Sequence, residues 1–241
     1  MFKVLNFVFS KEPELESDQP LVHPFYKEGF CRLNNISEDE YSQEHSDQYP
    51  DYNRRFLVPI LRKAADGYTN DIVRFYDIRT TEEYCHPAPE YLLMHDIGIK
   101  RVDPLGVKGM GLLAFPFGLQ LADSMAAGER ALICCADLPV PLNQMQNRTK
   151  ERTACAFIVE KCDDNDRTPG VYITEFQDGL SQSQIEDYAE TYNFSSNLQT
   201  GCLQEVLEEI NKCMKTDSPF ELFIGLHEKQ MCGYLHFCRI M

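Results

Sequence analysis

Ten cysteines and six histidines are the side chains best able to do nucleophilic, proton-transfer or metal chemistry in this chain, and their spacing limits what they can do. No Cys-x-x-Cys occurs and no His or Cys pair has zinc spacing, so no metal is expected. Cys134 and Cys135 stand in ALICCADL, Cys155 in TACAFIVE and Cys238 in YLHFCRI. In such apolar runs a thiol reads as a small buried hydrophobe with a raised pKa and poor access. Without framework spacing, these thiols belong to a reducing compartment and not to a disulfide scaffold. Cys202 is placed differently, at the start of the helical run LQEVLEEI, where the dipole favours a thiolate, but no His or Lys adjoins it in sequence. Asn197 lies shortly before it. Glu82 with Glu83, and His86 with His95, can be paired as acid and base, although a turn and an amphipathic helix explain them as well.

Charge and hydropathy narrow the function classes. With 241 residues and 43% hydrophobic content, the chain can bury the core of one large domain or two tightly joined lobes. The net charge of −15, with Lys and Arg scattered singly or in pairs such as Arg54-Arg55, leaves no basic stripe for nucleic acid or an anionic membrane. A basic partner suits the chain better than a strongly acidic carrier domain. No run approaches the roughly eighteen apolar residues of a membrane span. The opening MFKVLNFVFSKEPE lacks the apolar core and cleavage site of a secretory signal, so cytoplasmic residence is the expectation.

The elements that must position these residues follow from periodicity. Phe2 to Phe9 suits a first strand, and Ser10 to Tyr52, with Pro13, Pro20, Pro24 and Pro50, reads as a long polar excursion whose EDEYSQEHSDQ is solvated. Asn53 to Tyr68 has Phe56, Leu57, Ile60, Leu61 and Ala64 at helical spacing, with Gly67 as a stop and Pro59 as a kink or true start. A strand over Asp71 to Ile78 and a helix EYLLMHDIG capped by Gly98 come next. Val102 to Val107 is a strand, glycines 106, 109 and 111 supply a tight turn, and Leu112 to Ala127 is a helix whose first half is apolar on all sides and hence buried between sheets. Ala131 to Asp137 and Thr153 to Lys161 are buried strands separated by a loop over Leu138 to Glu151. Val171 to Phe176 is a strand, Ser183 to Tyr192 a helix, Thr200 to Met214 an amphipathic helix, and Phe220 to Leu226 with Gly233 to Ile240 a hairpin. Helix-strand alternation of this kind predicts crossover units and a largely parallel sheet.

This order resembles a known family. Thr80 to Pro139 is similar to the core of the ketoacyl synthase III branch of the thiolase-like superfamily. Tyr84, Pro87, Gly98, Ile99, Lys100, Phe115, Gly118, Leu119, Ala122, Asp123, Gly128, Ala131, Leu132 and Asp137 fall in register with its pattern. TACAFIVE looks like the small-residue strand that follows, and LFIGLHEKQMCGYLHF like the closing hairpin. The resemblance implies a thiolase-like layered αβαβα fold of the α/β class with a reduced C-terminal half, divided into an N-terminal half, 1–162, and a shortened C-terminal half, 163–241.

The resemblance also implies a chemistry that the residues only partly support. Such enzymes accept an acyl group on a cysteine at a buried helix start, assisted by His and Asn, with amide N–H groups holding the oxyanion. Leu112 stands at the cysteine position, and leucine forms no thioester. No histidine lies near Asp166 to Gly170, where the pattern has one; Asn197 matches the asparagine, and Cys202 is a thiol outside the pattern. No cofactor is implied. The expected role is a non-catalytic ketoacyl synthase III-like subunit, a homodimer or a heterodimer with a catalytic ketosynthase or acyltransferase, with acyl-CoA or an acyl carrier as ligand. The alternatives are an acyltransferase or hydrolase acting without a cysteine nucleophile, and a homodimeric scaffold.

Overall fold

The structure is a computed structural model and describes residues 1–13, 37, 51–80, 89–100, 102–138, 151–163, 168–191, 194, 196–228 and 231–241. Most of the acidic excursion, Glu82, Glu83, Tyr84, His86, Pro87 and most of the loop after Leu138 lie outside the described residues. Nine strands form one sheet: β1 (Phe2–Pro13), β2 (Ile72–Arg79), β3 (Asp103–Val107), β4 (Arg130–Asp137), β5 (Glu151–Lys161), β6 (Gly170–Leu180), β7 (Ser196–Thr200), β8 (Phe220–Glu228) and β9 (Met231–Ile240). Their order is β3-β2-β4-β5-β1-β6-β9-β8-β7. Five α-helices accompany them among the described residues: α1 (Asp51–Ala65), α2 (Pro89–Ile97), α3 (Ala114–Ala122), α4 (Gln182–Thr191) and α5 (Leu203–Met214).

The helices sort into layers because the strands are apolar on both faces. Along β2, Phe75 faces a core with Leu57, Leu61 and Leu93 of α1 and α2, whereas Tyr76 and Ile78 face a core with Phe115 and Leu119 of α3. Helix α3 touches β2 and β3 and also β6 and β9; α5 touches β1, β4 and β5 and also β7 and β8. Both helices are thus enclosed by strands from the two ends of the sheet. Helix α4 covers the remaining face through Ile185 against Phe223 and Tyr234. The result is α1 and α2, strands, α3 and α5, strands, α4, the five layers expected, with the apolar helix buried between strands as its composition requires.

The expectation of a largely parallel sheet is corrected. Only β2 with β3, β2 with β4, and β7 with β8 are parallel; β1 with β5, β1 with β6, β4 with β5, β6 with β9 and β8 with β9 are antiparallel. Parallel neighbours need a crossover, usually a helix, and neither β4 to β5 nor β8 to β9 has a helix between them among the described residues. The helix predicted to run from Leu112 to Ala127 is shorter. It begins with a single 3-10 turn, Gly111–Leu113, and α3 ends at Ala122. There the Ser124 hydroxyl donates to the Leu121 carbonyl at 2.8 Å and the Ala126 N–H donates to Glu129 at 3.0 Å, turning the chain toward β4. Thr200 to Cys202, read as helix, are the end of β7 and the cap of α5. Gly98 has φ +80 and ends α2 as its position predicts.

Two buried polar features sit in these layers. Arg79, fully buried at the end of β2, donates from Nε to Asp77 Oδ1 at 3.0 Å, and its Nη2 lies 2.8 Å from Oδ2, a charge contact without hydrogen-bond alignment. Burial opposes the Arg79 charge, and the Asp77 carboxylate outweighs it, so the guanidinium pKa is raised. On the α4 face, His236 lies edge-on to Phe194 with its Nδ1 2.8 Å from the Thr174 hydroxyl. Burial depresses its pKa against the opposing pull of Glu175 and Glu221.

Removing Asp77 takes from the buried Arg79 guanidinium its carboxylate hydrogen bond and ion pair, so Asp77→Ala should lower unfolding free energy by about 1–3 kcal/mol in urea titration. His236 is held neutral by the fold, so the unfolded chain binds the extra proton. Stability therefore falls as pH drops below the ordinary histidine value of about 6.5 toward the depressed folded value, and the pH slope of melting between pH 7 and 5 should flatten in His236→Phe.

Candidate functional site

The candidate site is built where the carboxyl ends of the parallel strands meet the starts of the two enclosed helices. At the end of β2, the Thr80 N–H donates to the Ala136 carbonyl at 3.3 Å and its hydroxyl donates to Asp137 at the end of β4. The Thr80 carbonyl then accepts the Gly111 N–H at 3.0 Å, fixing the turn that leads into α3. Gly111 has φ +57, a left-handed conformation that favours glycine. Leu112 and Leu113 follow, both buried in the core shared with Leu203 and Leu226.

The polar group that meets this turn comes from the far end of the sheet. Glu228, the last residue of β8, accepts the Leu112 N–H at 3.2 Å through Oε2. It faces inward because β8 alternates: Leu222, Ile224 and Leu226 lie in the enclosed core, and Glu228 continues that face. A Cβ on Gly111 would lie 2.0 Å from Glu228 Oε2, so the carboxylate occupies space that only a glycine leaves. Leu113 closes the other side, its Cδ2 3.0 Å from where a Cβ on Gly233 would be. Sequence reasoning placed Glu228 in the hairpin turn HEKQMC; the alternation of the preceding apolar residues was the signal that could have put it on the inner face.

The start of α5 adjoins the same region, since a Cβ on Gly201 would lie 3.4 Å from the His227 carbonyl. Thr200 precedes this helix: its hydroxyl donates to Glu205 in the first turn and accepts the Cys202 N–H at 3.0 Å. Cys202 is half-buried at the N-cap, as its sequence position implies, and no described hydrogen bond joins its thiol to a base. Asn197 is not brought to Leu112. It lies exposed on β7, in register with Phe223 on the opposite face, where its Oδ1 accepts Gln199 Nε2 at 3.1 Å.

That opposite face carries a polar seam. His227 Nε2 is 2.8 Å from Gln199 Oε1, and its Nδ1 is 3.4 Å from Cys232 Sγ. Burial pushes the Cys232 thiol up, aided by Glu186, so the seam holds a protonated thiol and stitches β7, β8 and β9 together. Burial likewise pushes the Cys134, Cys135 and Cys155 thiols up, which removes them as nucleophiles. Among the described residues no group of three His, Cys, Asp or Glu side chains is arranged to hold a metal, and no helix is long and apolar enough to cross a membrane.

No family model and no curated protein matches the sequence. Solved structures match along the whole chain. CsyB complexed with CoA-SH superposes with a TM-score of 0.62 at 11% identity, covering 99% of this chain and 100% of that one. The 1,3,6,8-tetrahydroxynaphthalene synthase of Streptomyces coelicolor, a bacterial type III polyketide synthase, gives 0.62 at 10% identity with 99% of each chain covered. OleA of Xanthomonas campestris with bound lauric acid and lauroyl-CoA gives 0.59 at 9% identity with 98% of each covered. At such identities the likeness is one of fold: the chain has the mixed α/β, thiolase-like fold of these condensing enzymes.

Two outcomes follow from the geometry. Native-state alkylation with iodoacetamide, mapped by peptide mass, should modify Cys202 well before Cys134, Cys135 or Cys155; equal rates would show that the strand thiols are accessible. Glu228→Ala removes the acceptor of the buried Leu112 N–H and should cost about 1–3 kcal/mol in thermal or urea unfolding, the usual penalty of a buried donor left unsatisfied.

Proposed function

We propose that this chain is a non-catalytic ketoacyl synthase III-like subunit that pairs with a catalytic ketosynthase or acyltransferase in fatty-acid, polyketide or secondary-metabolite biosynthesis. The observation that carries the reading is the start of the enclosed helix: Leu112, which the resemblance puts at the family's cysteine position, is buried there, and its N–H is bonded to the chain's own Glu228. Acyl transfer to a protein thiol needs a thiolate and amide donors for the oxyanion; position 112 has no thiol, and the Gly111 and Leu112 amides are already bonded to Thr80 and Glu228. The fold supports the pathway class, since the structures it resembles are condensing enzymes. CoA-SH and lauroyl-CoA in two of them point to an acyl-CoA or acyl carrier as the partner's ligand.

The surface supports pairing. Strand β3 ends the sheet order, and Leu105 on it and Tyr91 on α2 are large apolar side chains left 42% and 59% exposed. Among the described residues β3 is paired on one side only, and a strand edge flanked by such residues is suited to a second sheet. Co-expressed with a catalytic synthase of the same source, the chain should elute in size exclusion as a mixed complex, and Leu105→Glu should abolish that complex while leaving the monomer folded. Elution only as a homodimer in the presence of the synthase would contradict the reading and favour a scaffold.

A further inference from the structure

We infer that Glu228 is a latch on the start of α3, closing the site independently of the leucine at position 112; the inference rests on the non-catalytic reading above. The contact has three parts. The Leu112 N–H opens a buried helical turn, the place the non-catalytic reading gives to the family's reactive residue and hence to an oxyanion donor, and Glu228 Oε2 already accepts it at 3.2 Å. A second negative charge on that donor would meet the carboxylate directly. Gly111 leaves the space in which the carboxylate sits, for a Cβ there would lie 2.0 Å from Oε2 and 2.4 Å from Cδ. The strand behind the latch is anchored, because Leu226 is fully buried and Glu228 pairs in register with Met231 of β9.

Two independent closures predict that restoring the thiol is insufficient. In L112C, the introduced thiol would attack the carbonyl of an acyl thioester, forming one carbon–sulfur bond and breaking another, with the proton passing to the departing thiol. The oxyanion formed on the way finds its amide occupied. In L112C/E228A that amide is released. In L112C/E228V that amide is likewise released, with a β-branched side chain suited to the strand, which gives a second route if E228A impairs folding.

The experiment incubates the full chain and these variants with butyryl-N-acetylcysteamine, confirms folding by thermal melts, and maps butyrylation at position 112 by peptide mass. Labelling about a hundredfold faster in L112C/E228A or L112C/E228V than in L112C, the scale of one oxyanion donor regained, supports the latch. Equal rates in L112C and the double variants, or no label at position 112 in any folded variant, overturn it. The two failures separate: an overturned latch leaves the wild type without a thiol at that position, whereas condensation by the wild type alone overturns the non-catalytic reading and says nothing of the latch.

Discussion

The amide groups at the start of a buried helix must find partners, and in this chain that requirement ties the two ends of the sheet together. The turn before α3 lies under strands from both halves of the chain, where an unpaired N–H costs about 1–3 kcal/mol. Gly111 finds the Thr80 carbonyl of β2, and Leu112 finds the Glu228 carboxylate of β8. The first bond belongs to the early strands and the second to the last hairpin. The turn is therefore fixed only when the whole sheet has closed around α3.

The apolar packing has the same geometry. Phe115 and Leu119 are essentially fully buried, each contributing on the order of 1.5–3 kcal/mol, and their neighbours come from β2 as well as from the later strands. Gly118 lets α3 approach β2 so closely that a Cβ would lie 2.3 Å from Ile78 Cδ1. A helix held this way does not need a reactive residue at its start to keep its place. The fold of a condensing enzyme can persist around Leu112 because hydrophobic burial and two hydrogen bonds hold the turn, and neither depends on a thiolate.

Much of this was legible in the sequence because it is local. The all-round apolar run after Gly111 announced an enclosed helix, Gly98 announced the end of α2, and the thiols of ALICCADL and TACAFIVE announced buried strands. Pairing direction was legible only at the closing hairpin of β8 and β9, where two apolar runs flank a short polar turn: elsewhere alternating helices and strands signal crossovers, and the return from β4 to β5 carries no periodic signature of its own. The short strand Ser196–Thr200 has too few apolar residues to stand out, so Asn197 was read as lying just before a helix when it sits on the outer face of β7. Glu228 was missed for a further reason. Its role depends on contact with a residue more than a hundred positions away, which periodicity does not encode.

The account turns on whether the start of α3 does covalent chemistry. A radiolabelled acyl thioester and malonyl thioester, offered together to the purified chain, should yield no carbon dioxide release and no carbon–carbon bonded product above the uncatalysed rate. Condensation by the chain alone, with the label carried transiently on protein, would contradict it.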